Sequence, residues 1–349
     1  MKVKIGIWIL ALAWSAVCSL AVAEEPDQVR PSTGTVQELR DSATAQANTF
    51  GEYLDQGHDW LYRRLQYLIE DVDTWSASPG SVPVAVPIST LRIDFDSDIL
   101  HKRNGLGLSS ASSFEASLSV PNLEQRLRLL ITSDSLQEAP GDPANQQNPL
   151  RAVLRYVPSS DVDFEAGIQA KVWPTAFGAV RWAHILSAGS VRVYPFAKLY
   201  AITGTGLGVS GGLAVERWSD LWVMRSASYA NWVHNTAATS WSQTFILGYA
   251  HAVIQERSYD RFADGRDLGC GMAGQLLISG DRISRTSLYE TSVVFKRPLR
   301  GGWLFGYAGP LVRWDRANSW HADAGIRIGF NALFWGPATG ATPARSYCG

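Results

Sequence analysis

From Trp320 to Trp335 apolar and polar residues alternate, Leu333 and Trp335 apart. Trp320, Ala322, Ala324, Ile326, Ile328, Phe330, Ala332 and Phe334 form one file, and His321, Asp323, Gly325, Arg327, Gly329 and Asn331 form the other. A period of two predicts a strand with one apolar and one polar face. Strands of soluble domains run to about 5–6 residues, so the length of this one is itself a signal. A strand that crosses an outer membrane needs such length, with lipid on one side and a polar lumen on the other.

The same period governs most of the chain before it. Leu91, Ile93 and Phe95 alternate with Arg92, Asp94 and Asp96. Leu106, Leu108, Phe114, Ala116, Leu118 and Val120 make a second apolar file, and Leu127, Leu129 and Ile131 alternate with Arg126 and Arg128. After a polar loop at 135–149, Arg151 and Arg155 alternate with Ala152, Leu154 and Tyr156. Val162, Phe164, Ala166, Ile168, Ala170 and Val172 then face one way, and Asp163, Glu165, Gly167, Gln169 and Lys171 the other. Further strands are predicted at about 176–186, 189–202, 205–217, 220–234, 238–252, 267–279, 284–297 and 302–315. The count is fourteen, and an all-β, transmembrane, antiparallel up-and-down β-barrel of 12–14 strands is expected, since single-chain bacterial barrels use even numbers.

A length test separates this barrel from a secreted sandwich that binds carbohydrate through exposed tryptophan. Trp222 and Trp232 share one face of a strand and sit ten residues apart. At ~3.3 Å per residue and a tilt near 40–45°, that interval climbs roughly 24 Å, close to the apolar band between the aromatic girdles of membrane barrels. Trp303 with Trp314, and Trp320 with Phe334, also put aromatics near both ends of a strand.

The segment before the sheet has a different period. Phe50, Tyr53, Leu54, Trp60, Leu61, Leu65, Leu68, Ile69 and Val72 recur at three- and four-residue steps behind a capping box at Thr49-Phe50-Gly51-Glu52. An amphipathic helix over 50–72 follows, which packs within this chain, plugs the lumen, lies on the periplasmic face of the membrane or docks a periplasmic partner. Ahead of it, Lys2 and Lys4, the apolar run Ile5–Val22 and the close Ala21-Val22-Ala23 describe a cleaved secretory signal peptide over 1–23. Cys18 is not preceded by the leucine of a lipoprotein site. The predicted organisation is therefore signal peptide 1–23; leader, helix and proline-bearing linker 24–81; barrel 82–336; tail 337–349.

Composition adds little to the pattern and removes some alternatives. A net charge of −1 gives no electrostatic basis for nucleic-acid binding. Fourteen tryptophans and thirty-one glycines suit interfacial girdles and crowded strands. Once the signal peptide leaves, Cys270 and Cys348 are the cysteines available to form a disulfide in an oxidising compartment.

Arg327, Gly329 and Phe334, with Ala332 between, resemble the assembly signal by which the barrel-assembly machinery reads a last strand, here 320–335. In this chain the tail 336–349 follows it. More widely, residues 82–335 resemble uncharacterised proteobacterial outer-membrane β-barrel proteins. The likeness rests on Leu118-Ser119-Val120-Pro121-Asn122-Leu123-Glu124-Gln125-Arg126-Leu127 and on Trp303-Leu304-Phe305 through Pro310 to Trp314. It implies a bacterial outer-membrane location in contact with lipid, and it carries no assigned activity.

Candidate chemistry is sparse. Gly204, Gly206, Gly208, Gly211 and Gly212 look superficially like a nucleotide loop, but Leu207, Val209, Leu213 and Val215 continue the strand period, so no helix N-terminus follows to hold phosphate. The better reading places lumenal glycines opposite Tyr194, Phe196 and Tyr200. His184, His234, His251 and His321 form no metal or nucleophile spacing, and no cofactor is expected. What remains is the inward charge. Arg92, Arg126, Arg128, Arg151, Arg155, Lys171, Arg192, Lys198, Lys296 and Arg327 are the predicted lumenal cations. Asp94, Asp96, Glu115, Asp163, Glu165, Glu216, Glu290 and Asp323 are the anions. Near-balance predicts cross-strand pairing or a wet channel, and Arg126, Arg128, Arg151 and Arg155 together predict a basic patch that weakly favours anions. The leading expectation is a passive channel or structural membrane protein, ahead of an outer-membrane enzyme acting on lipid or lipopolysaccharide. The register also predicts that lysine is costly at the lipid-facing Ile328 and tolerated at the lumenal Asn331.

Overall fold

With one exception the strands pair with their neighbours in sequence, so the alternation read along the chain becomes a wall. The computed structural model describes residues 51–64, 66–67, 90–103, 105–119, 127–133, 150–170, 173–219, 221–234, 238–250, 270–282, 285–300 and 303–334. The predicted signal peptide, linker and tail, together with Arg126, Lys171, His251 and Cys348, lie outside them. The chain divides into two compact units, 1–53 and 54–349. Residues 51–53 are the described part of the first, and everything below concerns the second.

The wall runs β1 (Thr90–Lys102), β2 (Gly105–Ser119), β3 (Leu127–Thr132), β4 (Arg151–Tyr156), β5 (Val162–Gln169), β6 (Thr175–Ala183), β7 (Leu186–Ala188) and β8 (Val191–Ile202). It continues through β9 (Gly206–Ser219), β10 (Trp222–Val233), β11 (Ala238–Ala250), β12 (Gly271–Arg282), β13 (Arg285–Arg300), β14 (Leu304–Asp315) and β15 (Ala322–Phe334). The last strand closes on the first, antiparallel, from Leu91 opposite Phe334 to His101 opposite Ala324. Both β6 and β7 pair with β8, so they share one place in the wall. The interruption at His184 and Ile185 lies across from Tyr194 and Pro195, and proline has no N–H to return to the ladder. The fifteen strands therefore fill fourteen places of a closed antiparallel barrel, the upper end of the predicted range.

Polarity is the reverse of a soluble domain. On β15, Ile326 and Ile328 are 54% and 43% exposed, whereas Asp323 and Arg327 are 4% and 7% exposed. Large apolar side chains point out and charges point in, as a barrel solvated by lipid requires. A secreted carbohydrate-binding sandwich does not fit this arrangement. Two belts of aromatics mark the rims of the outer face. At the rim where β1 begins and β15 ends, here the terminal rim, the belt holds Tyr156, Trp182, Trp222 and Tyr249; at the opposite rim it holds Trp173, Trp232, Tyr289 and Trp320, all at least partly exposed.

Helix α1, described at 51–64 and 66–67, packs Leu54 and Leu61 of the predicted stripe against the outer wall rather than the lumen, whereas Tyr53 and Trp60 of that stripe are exposed. Leu54 and Leu61 pack on Leu91, Ala116, Trp303, Ala332 and Phe334. His58 sits between them, its ring 4.6 Å from both Phe334 and Trp303. Asp55 accepts from Arg300 at 2.9 Å and from the Trp303 indole at 3.0 Å, tying α1 to the turn between β13 and β14. The plug expectation is thus corrected for residues 54–64: their apolar stripe finds an apolar partner only on the outside, because the inner wall is charged. Ala332 and Phe334, read from sequence as lipid-facing, are withdrawn from lipid by this helix.

Inside, Tyr200 pairs with Gly208 and Phe196 with Gly212. A Cβ at Gly208 would overlap the Tyr200 ring, so the glycine there is required by the aromatic lying over it. Cys270, at the terminal rim before β12, is buried and disulfide-bonded to a partner outside the described residues. Substituting Ile328→Lys should lower barrel stability by about 2–4 kcal/mol, the cost of a lysine near mid-bilayer. A urea titration followed by the heat-modifiable gel shift measures it, and an unchanged midpoint would mean that Ile328 does not meet lipid.

Candidate functional site

The inner face is built by the inward position of each hairpin, and most of its described charges gather in two groups, one over β13, β14, β15 and β1 and one over β4, β5, β6 and β8. The first spans β13, β14, β15 and β1. Arg327 donates to Asp98 through Nε at 2.7 Å and approaches Glu290 at 3.0 Å through Nη2. Arg313 bridges the same two carboxylates, at 2.8 Å to Asp98 and 2.7 Å to Glu290. Two guanidiniums thus face two carboxylates, and each charge has partners on more than one strand. Towards the terminal rim, Asp94 accepts from Arg92 Nε at 2.8 Å, Asn331 Nδ2 at 2.6 Å and Ser113 Oγ at 3.1 Å. Lys296 donates to the Asn331 side-chain oxygen and lies near the faces of Phe305 and Tyr307, whose hydroxyl bonds Asp96.

The second group spans β4, β5, β6 and β8. Arg155 donates to Glu165 at 2.9 Å, Arg181 to Asp163 at 2.8 Å, and Lys198 reaches Glu165 at 3.3 Å. Arg151 lies on the same wall, 5.6 Å from the centre of the Phe177 ring. The expected basic patch is therefore interleaved with acids. Arg151 and Arg155 do share one face of β4, and the register sets Arg128 opposite Arg155, but Glu165 and Asp163 on the next strand divide the positive charge. Hairpin pairing brings them together, because residues opposite one another share a face.

Other predicted residues are dispersed. Arg192 stands opposite Glu216 near the terminal rim, where Glu216 meets Arg225 at 3.2 Å. Asp323, at the opposite rim, accepts twice from Asn318 at 2.9 and 3.0 Å. Among the histidines, His184 pairs with Asp161, His234 packs on Trp232 and His321 meets Arg103, each at a different place on the rims. Sequence reasoning missed Asp98, Arg181, Arg225 and Arg313. Arg181 and Arg225 share their inner files with Phe177, Val223 and Tyr229, and such apolar neighbours hide an inward charge from any reading of alternation alone. Position relative to an outward tryptophan such as Trp182 or Trp222 would have found both.

No protein-family model matches the chain, and no curated protein does. Solved outer-membrane proteins superpose on it remotely. OprB of Pseudomonas putida has 7% identity and a TM-score of 0.42, covering 71% of this chain and 93% of that one. OccK2 of Pseudomonas aeruginosa in complex with glucuronate has 8% identity and a TM-score of 0.42, covering 71% and 97%. OpdK of Pseudomonas aeruginosa has 9% identity and a TM-score of 0.39, covering 71% and 98%. Likeness at this level says nothing of solute or activity, and the functional reading has to come from the wall itself.

The lumen also changes one expectation. Asn331 does point inward, but it is 1% exposed and joins Lys296 to Asp94. A lysine there would set two ammonium groups side by side and remove the oxygen that accepts from Lys296, so tolerance is not expected. Asn331→Lys should cost about 3 kcal/mol or more, in the range for disrupting a buried charged network. Urea unfolding of the refolded barrel tests this, with Asn331→Asp as the variant that keeps a partner for Lys296.

Proposed function

We propose that this chain is a passive outer-membrane channel with a lumen of mixed charge. The observation that supports this is where the charged side chains lie. The ion pairs described above join strands that are adjacent or next but one, so they run along the wall. Fourteen strands spaced about 4.8 Å apart and tilted near 40° give a backbone cylinder roughly 28 Å across. Side chains lying along such a wall leave a central passage. Between the two charged groups, β9–β12 carry mostly small inward residues, among them Ser210, Gly212, Ala214 and Ala273. The chain would reach the membrane by the predicted signal peptide and be recognised for assembly through the last strand.

Planar-bilayer recording of the refolded protein should give discrete conductance steps with weak ion preference, because acids and bases alternate around the lumen. Glu165→Gln leaves Arg155, Lys198 and Arg181 with one fewer acid and should shift the permeability ratio about two- to five-fold towards anions, a change of order 1 kcal/mol at most in water-filled surroundings. Folded barrels that insert without conducting overturn the reading. Altered lipid in a deletion strain would favour the enzyme instead.

We also propose that the disulfide of Cys270 closes on Cys348. Both termini of the barrel and the start of β12 lie at the terminal rim, three strand spacings of about 4.8 Å from β15. Thirteen residues separate Trp335 from Cys348, and at up to ~3.3 Å each they span that distance several times over. Such a bond would hold the tail below the barrel, clear of the assembly strand, and stabilise by about 2–4 kcal/mol. Thiol labelling of the unreduced, unfolded mature protein should find no free cysteine; two free thiols per chain would remove the bond.

A further inference from the structure

Helix α1 has a second face that the barrel does not use. Behind the docked stripe of Leu54, His58 and Leu61, Trp60 is 57% exposed and Tyr67 is 61% exposed. They are seven residues apart, so they stand one above the other on a helix, and Tyr53 precedes Trp60 by the same interval. A helix face turned to water carries charged and polar residues; large aromatics at a fixed spacing do not belong there. Beside them Arg63 and Arg64 are exposed, and the Arg64 guanidinium lies 5.8 Å from the centre of the Trp60 ring.

Placement gives this face its meaning. The helix covers Leu91, Ala116, Ala332 and Phe334 at the terminal rim, the level at which the rest of the wall carries Tyr156, Trp182, Trp222 and Tyr249. In the sector of β1, β2 and β15 the wall's own apolar residues are hidden, and the helix presents Trp60 and Tyr67 in their stead. With the helix in place, exposed aromatics stand at this level over β1, β2 and β15 as they do on β4, β6, β10 and β11. Aromatic rings with a polar edge favour the headgroup layer, and guanidiniums pair with phosphate.

We propose that α1 is an interfacial anchor, lying in the phospholipid headgroup layer at the terminal rim, with Trp60 and Tyr67 entering the acyl boundary and Arg63 and Arg64 meeting lipid phosphates. This rests on the reading of the barrel as membrane-embedded. The helix then seals the place where the first and last strands meet the membrane surface, and it fixes the depth of the barrel on that side.

The test uses the full mature chain refolded into vesicles of brominated phosphatidylcholine with phosphatidylglycerol. The emission of wild type minus Trp60→Phe isolates one indole, and the substitution sits on an exposed side chain that the barrel contact does not involve. That component should emit at short wavelength and lose most of its intensity to bromine. Long-wavelength emission, unquenched by bromine and open to an aqueous quencher, overturns the anchor and leaves the face free for a protein partner. The same subtraction with Trp222→Phe separates the two readings: if Trp222 is also unquenched, the membrane placement of the barrel fails, whereas a quenched Trp222 beside an unquenched Trp60 removes the anchor alone. Reversing charge with Arg63→Glu and Arg64→Glu should move the Trp60 component to longer wavelength in these anionic vesicles, and an unchanged spectrum overturns the part assigned to phosphate.

Discussion

Everything in this barrel depends on one constraint: inside hydrocarbon, a backbone N–H or C=O without a partner costs several kcal/mol. A sheet satisfies that demand only by having no edge. The ladder between β1 and β15, from Leu91–Phe334 to His101–Ala324, removes the edge. It also sends both ends of the barrel domain to one rim, where the helix docks. The break between β6 and β7 shows how strictly the rule is kept. Opposite Pro195 the wall gives up a short stretch of regular pairing, yet the His184 N–H still donates to the Pro195 carbonyl at 3.1 Å.

Closure creates the next problem, which is a crowd of charges facing inward. An isolated buried charge is expensive, while one held by several opposite partners is not. The Arg327–Asp98–Arg313–Glu290 square solves this across four strands, since no carboxylate there depends on a single guanidinium. The Arg155–Glu165–Lys198 group does the same on the facing wall with one acid between two cations. Because these links run from strand to strand, they brace the wall circumferentially.

The outer face meets the complementary demand, that apolar surface be covered by lipid or by protein. Over most of the circumference lipid does it, and the aromatic belts mark where lipid ends. At β1, β2 and β15 the helix does it, using His58 stacked on Phe334 and tilted against Trp303, and the Asp55–Arg300 bridge, to hold its angle.

How much of this was legible in the residues follows from what alternation can report. A period of two states that a strand has two faces, and the alternation from Trp320 to Phe334 was enough to say which face meets lipid. Barrel class, girdles and the inward direction of Arg92, Asp94, Asp163, Glu165, Lys198 and Arg327 all follow from that local rule. Alternation is silent about inner files that are partly apolar, so Arg181 and Arg225 stayed hidden until hairpin register set them beside Asp163 and Glu216. It is equally silent about partners distant in sequence. Whether Asn331 had room for a lysine depended on Lys296 and Asp94 arriving from other strands, and whether the helix lay within or outside the barrel depended on which wall offered an apolar surface. Facing direction is a property of the local chain, and the sequence by itself determined it; occupancy, pairing and the seat of the helix are properties of strands brought together by closure, and only the tertiary structure decided them.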